Sequence, residues 1–321
     1  MLAAAAALAA LLSSCATAQA PRIALEYYEI GNAWLAMEKW DKAGAAYERA
    51  LAYDRSLVAA SYNLARALAE AGAYPRALEV LERLRSDDPD NVRLIAFRAY
   101  VLNKSGDDEA ALAAYRRAAE LNPRDAGTLR NLALLLERAG RDGEALVILR
   151  ELYAVNPADD GVLRRLALLE ARRVSGTRGS GESPAPGEES APAITSTAAA
   201  AASAEEDALT LLSAYLSRKP GDREVLRARA ELREARELFA RAQEDWAALA
   251  QADPADGEAW FRLARIRLVV AGDREAGMEA LRKALDAKFS DSKAAAALLA
   301  ALPEAERAKP AELLKAAGLS E

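Results

Sequence analysis

The chain contains no histidine, and among its 321 residues there is one cysteine and only 6% aromatics. Without imidazole the commonest general base, proton shuttle and metal ligand near neutral pH is missing. A single thiol allows no disulfide framework, and once modified it leaves nothing for thiolate catalysis or zinc. No Gly-x-Gly-x-x-Gly or phosphate-loop motif occurs. The longest apolar run, residues 2–12, is too short to span a bilayer. A net charge of −6 argues against general nucleic-acid binding. The expectation is a chain that is not an enzyme, with no catalytic residue, no metal and no cofactor. The run Asp87-Asp88-Pro89-Asp90 resembles a carboxylate cluster, and its place between two repeated units marks it for helix capping rather than for a cation site.

What the chain does have is a period. Gly31, Ala65, Ala99, Ala133 and Ala167 lie 34 residues apart; after a jump of 63, Ala230 and Ala264 resume the series. A second series runs twelve residues behind through Ala43, Ala77, Ala111 and Ala145, then Ala208, Ala242 and Gly277. Two small residues per 34 are what an array of helical hairpins needs, because helices cross closely only over small side chains. The composition, 52% hydrophobic, is dominated by Ala and Leu and shows no strand-like alternation.

The units resemble tetratricopeptide repeats (TPRs) over residues 24–290. The first carries Tyr27, Ile30, Gly31, Trp34, Ala43, Tyr47 and Ala50; the second Leu64, Ala65, Gly72, Tyr74, Ala77, Leu81 and Pro89. The third gives Ala99, Gly106, Ala111, Tyr115, Ala118 and Pro123, and the fourth Leu132, Ala133, Gly140, Ala145, Leu149 and Pro157. Gly at the middle turn supplies left-handed backbone, and Pro ends the second helix of the hairpin. Departures are Arg98 and Arg229 where the family has Leu, and Arg55 and Phe289 in place of the terminal Pro. The resemblance implies an all-α fold, a right-handed α-solenoid of about seven hairpins, with an Ala-rich capping helix near 291–301.

The jump of 63 places an insertion of about 29 residues inside the fifth repeat. Its first helix reads as 160–173 and its second as 205–219. Between them 174–204 is rich in Ser, Gly, Pro and Ala and too poor in apolar residues to offset its ordering entropy, so disorder is expected. Either the two helices pair and the insert bulges out, or two blocks hang on a tether; the preserved phase favours pairing. The resulting organisation is 1–14 signal peptide, 15–23 tether, 24–173 repeats one to four with the first helix of repeat five, 174–204 insert, 205–302 the remaining repeats and cap, and 303–321 a tail with a short helix.

The run 2–12 has the length of a signal-peptide core, and Leu12-Ser13-Ser14-Cys15 resembles a bacterial lipobox, although no basic residue precedes the run. That resemblance implies diacylglyceryl modification of Cys15, whose two acyl chains would anchor the chain to a membrane of the cell envelope. Cleavage after Ala16-Thr17-Ala18, giving a soluble periplasmic protein, is the alternative.

In TPR proteins the first helix of each hairpin lines a concave groove. The corresponding positions here carry Tyr28, Asn32, Tyr62, Asn63, Arg66, Arg93, Phe97, Tyr100, Asn103, Arg130, Asn131, Arg164 and Arg165. Glu29 and Glu137 occupy equivalent slots, and repeats six and seven offer Glu224, Glu231, Glu234 and Glu258. The N-terminal groove is therefore expected to be aromatic, amide-bearing and basic, and the C-terminal groove acidic. The carboxylate clamp of chaperone-binding TPRs maps onto Tyr28, Asn32, Asn63, Arg93 and Phe97, with three of five residue types matching. These likenesses imply a scaffold that binds a protein or peptide partner with acidic groups, and no nucleic acid, in envelope assembly or secretion. A docking subunit of an envelope enzyme is the other reading.

Overall fold

The computed structural model describes residues 2–179 and 194–319, and within them strands are absent. It falls into two compact units, Met1–Ile148 and Leu149–Glu321.

The first unit is a succession of antiparallel hairpins: α1 (Leu2–Ala36) with α2 (Trp40–Tyr53), α3 (Val58–Glu70) with α4 (Tyr74–Asp87), and α5 (Val92–Ser105) with α6 (Asp108–Leu121). Then come α7 (Ala126–Arg138) and the start of α8 (Asp142–Val155), within which the division falls. Each second helix also packs on the first helix of the next hairpin. Both 34-residue series sit at these crossings: Ala43, Ala65, Ala77, Ala99, Ala111 and Ala133 are fully buried. At Gly31 a Cβ would lie 2.4 Å from the Tyr47 ring, so the first position of the series requires glycine. Gly72, Gly106 and Gly140 take positive φ at the hairpin turns.

The second unit pairs α9 (Asp160–Gly179) with α10 (Ile194–Arg218), α11 (Arg223–Ala235) with α12 (Phe239–Ala252), and α13 (Gly257–Arg265) with α14 (Arg274–Asp286). Leu163, Ala167, Ala208, Leu212 and Tyr215 belong to one core, in which α9 packs on α10 across the insert of the fifth repeat. Its helices run further than composition implies. Of the expected insert 174–204, residues 174–179 and 194–204 are helical backbone and Val174 is buried; 180–193 lie outside the described residues. The stretch 15–23, expected as a tether, is likewise helical backbone within α1.

The 35-residue step from Ala242 to Gly277 has a local cause. A π-helical turn, Ile266–Ala271, follows α13 and absorbs one extra residue without shifting the packing phase. The C-terminus is a cap rather than a tail: α15 (Ser292–Ala301) and α16 (Ala308–Ala316) close the last hairpin with Leu298, Leu302 and Leu314 buried.

A third periodic series governs where the first helices begin. Asn91, Asp125, Asp222, Asp256 and Asp291 each accept a backbone N–H of the following first turn, and Asp159 accepts from Val162 N at 3.1 Å. Asn91 Nδ2 also donates to Asp88 at 2.9 Å, and Asp90 pairs with Arg117 at 2.9 Å. Of the 87–90 run, Asp88 and Asp90 are therefore engaged in side-chain pairing, while the cap itself is Asn91. No helix of the described residues is long and apolar enough to cross a membrane.

Candidate functional site

In the first unit a hydrogen-bonded amide platform joins α1, α2 and α3. The Tyr47 hydroxyl donates to Asn32 Oδ1 at 2.8 Å, and Asn63 Nδ2 donates to the same oxygen at 3.0 Å and to the Tyr28 hydroxyl at 3.5 Å. Burial pushes the fully enclosed Tyr47 phenol up to about 12, opposed by its hydrogen bond with Asn63. Two repeats further on, burial raises the Tyr115 phenol to about 12 as well, opposed by the Asn131 amide.

A rule of packing is visible here. An amide stands sixteen positions after each of these tyrosines, Asn63 after Tyr47 and Asn131 after Tyr115, and opposes the rise that burial imposes on the phenol. At the intervening repeat the same two positions hold Leu81 and Phe97, both apolar. The hydroxyl and the amide come together because each would otherwise leave a polar group short of a partner in a half-buried site.

Between the two polar pairs runs an aromatic row. Tyr62 and Phe97 have ring centroids 5.2 Å apart, and Phe97 and Tyr100 lie at 6.3 Å. Tyr100 donates to Glu70 at 3.2 Å, with the Lys104 ammonium 5.6 Å above its ring. Burial and then the Glu70 charge raise the Tyr100 phenol. The groove is thus less purely basic than expected, since Glu70 sits against the row and Glu29 accepts from Asn32 at 3.4 Å.

Arg66 lies on α3 and Arg93 on α5, the two helices that carry Tyr62, Asn63, Phe97 and Tyr100. Both arginines are exposed and, among the described residues, neither has a carboxylate partner. Arginines on the second helices behave differently: Arg76 pairs with Glu48, Arg116 with Glu144 at 2.7 Å, and Arg117 with Asp90.

Other expected groove residues are committed internally. Asn103 Nδ2 donates to Asp108 at 3.2 Å across its own hairpin, where Asp108 also holds Arg138 at 2.8 Å. Arg130 Nε donates to the Ala126 carbonyl at 3.1 Å. In the second unit Arg164 is locked by Asp222 at 2.7 Å and Glu224 at 2.6 Å, which hold it strongly protonated; Arg165 is also engaged.

The acidic groove expected in repeats six and seven is a set of ion pairs instead. Glu224 belongs to Arg164, Glu258 to Arg227 and Arg262. Glu234 accepts from Trp246 Nε1 at 3.2 Å and from Arg262 at 3.4 Å, and pairs with Arg265. Only the carboxyl of Glu231, raised by desolvation against the pull of Arg262 and Arg227, lacks a direct partner of this kind. The arginine standing where the family has leucine, Arg229, is explained likewise: it forks onto Asp245 at 2.7 and 3.0 Å, and Arg233 reaches the same carboxylate at 2.7 Å.

Sequence reasoning placed Tyr47 and Tyr115 only in the core. Their hydroxyls were the signal for a polar pairing, visible as Asn recurring sixteen residues after Tyr. Among the described residues no three His, Cys, Asp or Glu side chains are grouped as a metal site.

Comparison with known proteins agrees with this architecture. Residues 35–99 match a family model described as tetratricopeptide repeat, and 99–140 one described as TPR repeat. A tetratricopeptide repeat protein from Parabacteroides merdae superposes with a TM-score of 0.51 at 17% identity, over 86% of this chain and 98% of that one. In sequence the chain is 30% identical over 93 residues to an uncharacterized lipoprotein of Treponema pallidum, a match covering 29% of this chain and 47% of that relative.

Proposed function

We propose that this tetratricopeptide-repeat protein is a lipid-anchored scaffold of a bacterial cell envelope that holds an acidic stretch of a protein or peptide partner along its N-terminal repeats. The observation that carries the reading is that Arg66 and Arg93, exposed and without a carboxylate partner among the described residues, stand on the helices that also carry Asn63 of the pre-bonded amide platform and the aromatic row. Solvated arginines cost nothing in the empty groove and can fork onto a carboxylate when a partner docks. The rings offer flat apolar area with little side-chain entropy to lose. The platform amides, held by Tyr28 and Tyr47, are oriented before any ligand arrives. The anchor reading is supported by Leu12-Ser13-Ser14-Cys15 after the apolar run and by the likeness to a lipoprotein.

The test is a peptide array scored for binding of the purified chain, followed by titration of the best acidic sequence. Arg66→Ala with Arg93→Ala should weaken binding roughly 10- to 100-fold, as for a central pair of hot-spot residues, and added salt should weaken the wild type. Equal binding of acidic sequences and their amide counterparts refutes the charge reading. For the anchor, wild-type protein should enter the detergent phase on phase separation and Cys15→Ala should not; identical partitioning refutes lipidation.

A further inference from the structure

One departure from the repeat pattern has no bond to account for it. Arg229 forks onto Asp245, whereas Arg98, the other arginine at a leucine position, makes no hydrogen bond among the described residues. Its counterparts 34 residues to either side, Leu64 and Leu132, are buried, while the Arg98 side chain is 37% exposed. The carboxylate within reach, Glu82, stands 3.9 Å from Arg98 Nε, too far for a hydrogen bond, and is taken by Arg85 at 2.6 Å. A second departure opens space beside Arg98. On α6, Ala110, Ala113 and Ala114 stand where repeat two has Arg76, Glu79 and Val80 and repeat four has Glu144, Val147 and Ile148. The result is a pocket of about 410 Å³, lined by Ile95, these three alanines and the side chains of Arg85, Arg98 and Arg117. That size suits a small ligand.

We propose that this pocket binds a small aliphatic carboxylate, its oxygens forked by Arg98 and its alkyl body laid against Ile95 and the alanines. The charges around the pocket select a monoanion. Arg85 is bonded to Glu82, and Arg117 to Asp90 at 2.9 Å and to Glu120 at 3.3 Å, so one guanidinium of the three is left for a ligand. Its donors form a planar fork that matches the two oxygens of a carboxylate. The methyl and methylene groups of the lining reward an alkyl body by removing it from water. Leucine at position 98 would supply no donor, and larger side chains at 110, 113 and 114 would occupy the space, so the two departures serve one site. None of the lining residues belongs to the amide platform or the aromatic row, and the inference does not rest on the groove.

The test titrates the full chain with isocaproate and follows the Ile95 δ1 methyl resonance, assigned by its loss in Ile95→Val. Saturation in about the millimolar range is expected for a ligand of this size. Isocaproamide keeps the shape and loses the charge, and should bind roughly 10- to 100-fold more weakly. Isocaproate should bind Arg98→Leu more weakly by a similar factor, and that variant restores the residue type of the neighbouring repeats, so its fold is kept. Ala113→Leu leaves every charge in place and fills the pocket, and should weaken binding roughly 10-fold or more. Arg116→Ala, which removes a guanidinium of α6 outside the lining, should leave binding unchanged. The same group is carried by a free acid or by the last residue of a peptide; isocaproate against acetyl-Gly-Gly-Leu separates the two sources, and saturation of the Ile95 methyl by either supports the site. No saturation by both at roughly 50 mM overturns the proposal. Equal binding of acid and amide also overturns it, as does undiminished binding by Arg98→Leu or by Ala113→Leu with an unchanged helical spectrum, or an equal loss in Arg116→Ala.

Discussion

Replacing Asp245 by alanine should unfold the second unit at much lower denaturant than any substitution of its partners. The Asp245 carboxylate is 3% exposed and accepts from two guanidinium groups, Arg229 at 2.7 and 3.0 Å and Arg233 at 2.7 Å. Removing it leaves two cations in a largely desolvated site with no counter-charge, a defect that costs about 3–5 kcal/mol. Arg229→Leu restores the residue type of the repeat family and still leaves Asp245 bonded to Arg233. It should cost about 1–2 kcal/mol, the loss of charge-assisted bonds being partly offset by apolar burial. The double variant Arg229→Leu with Asp245→Leu removes charge of both signs, and Arg233 keeps its bond to the Arg241 carbonyl at 3.2 Å. The double variant should therefore be more stable than Asp245→Ala alone by about 2 kcal/mol, in the manner of buried ion pairs replaced by apolar side chains. Urea unfolding followed by tryptophan fluorescence reads the effect, because Trp246 is fully buried in the same core. Trp34→Phe and Trp40→Phe in the background silence the other unit. A loss below about 1 kcal/mol for Asp245→Ala, or a double variant weaker than the single, refutes the argument.

Two further outcomes follow from the packing of the first unit. Gly31→Ala should cost about 1–2 kcal/mol in thermal unfolding despite alanine's better helix propensity, because the added carbon meets a Tyr47 ring that is pinned at its hydroxyl; Gly143→Ala in α8, with open space around it, should be neutral or gain up to about 1 kcal/mol. The phenols of Tyr47 and Tyr115 are raised to about 12 from 10.0. Their neutral forms are favoured by folding, so this contribution is complete below pH 10 and lost as pH rises towards 12. Unfolding midpoints measured from pH 9 to 12 should fall for the wild type and flatten for Tyr47→Phe with Tyr115→Phe; parallel curves would contradict the assignment.

The architecture was legible because small residues at helix crossings leave no alternative at 34-residue spacing, and Gly31, Ala65 and Ala99 are where the crossings are. The π-helical turn that absorbs the extra residue before Gly277 was not legible. Helix phase puts Tyr62, Asn63 and Phe97 among the proposed groove positions, and the structure sets the Tyr62 and Phe97 rings 5.2 Å apart. What each side chain is committed to was not legible. Arg164 and Arg66 look alike in sequence, yet one is locked between Asp222 and Glu224 and the other is free of carboxylates, a difference set by residues nearly 60 positions away. The acidic residues of repeats six and seven misled for the same reason: their arginine partners are on neighbouring helices, and a count of groove positions omits them. The ends of α9 and α10 were misjudged because Ser, Thr and Gly lower helix propensity only modestly once a hairpin has begun to pack.

The alternation of Tyr47 with Asn63, Leu81 with Phe97, and Tyr115 with Asn131 gives the first unit a chemical period twice its structural one. A chain lying along repeats two to four that slipped by one hairpin would exchange amide for aromatic at Asn63, Phe97 and Asn131. Slipping by two would bring Asn131 to the place of Asn63, 68 residues on, and restore the amide there. If the proposed segment binds there, sliding would be penalised at the first step, and the segment would be held in one frame although the scaffold beneath it repeats.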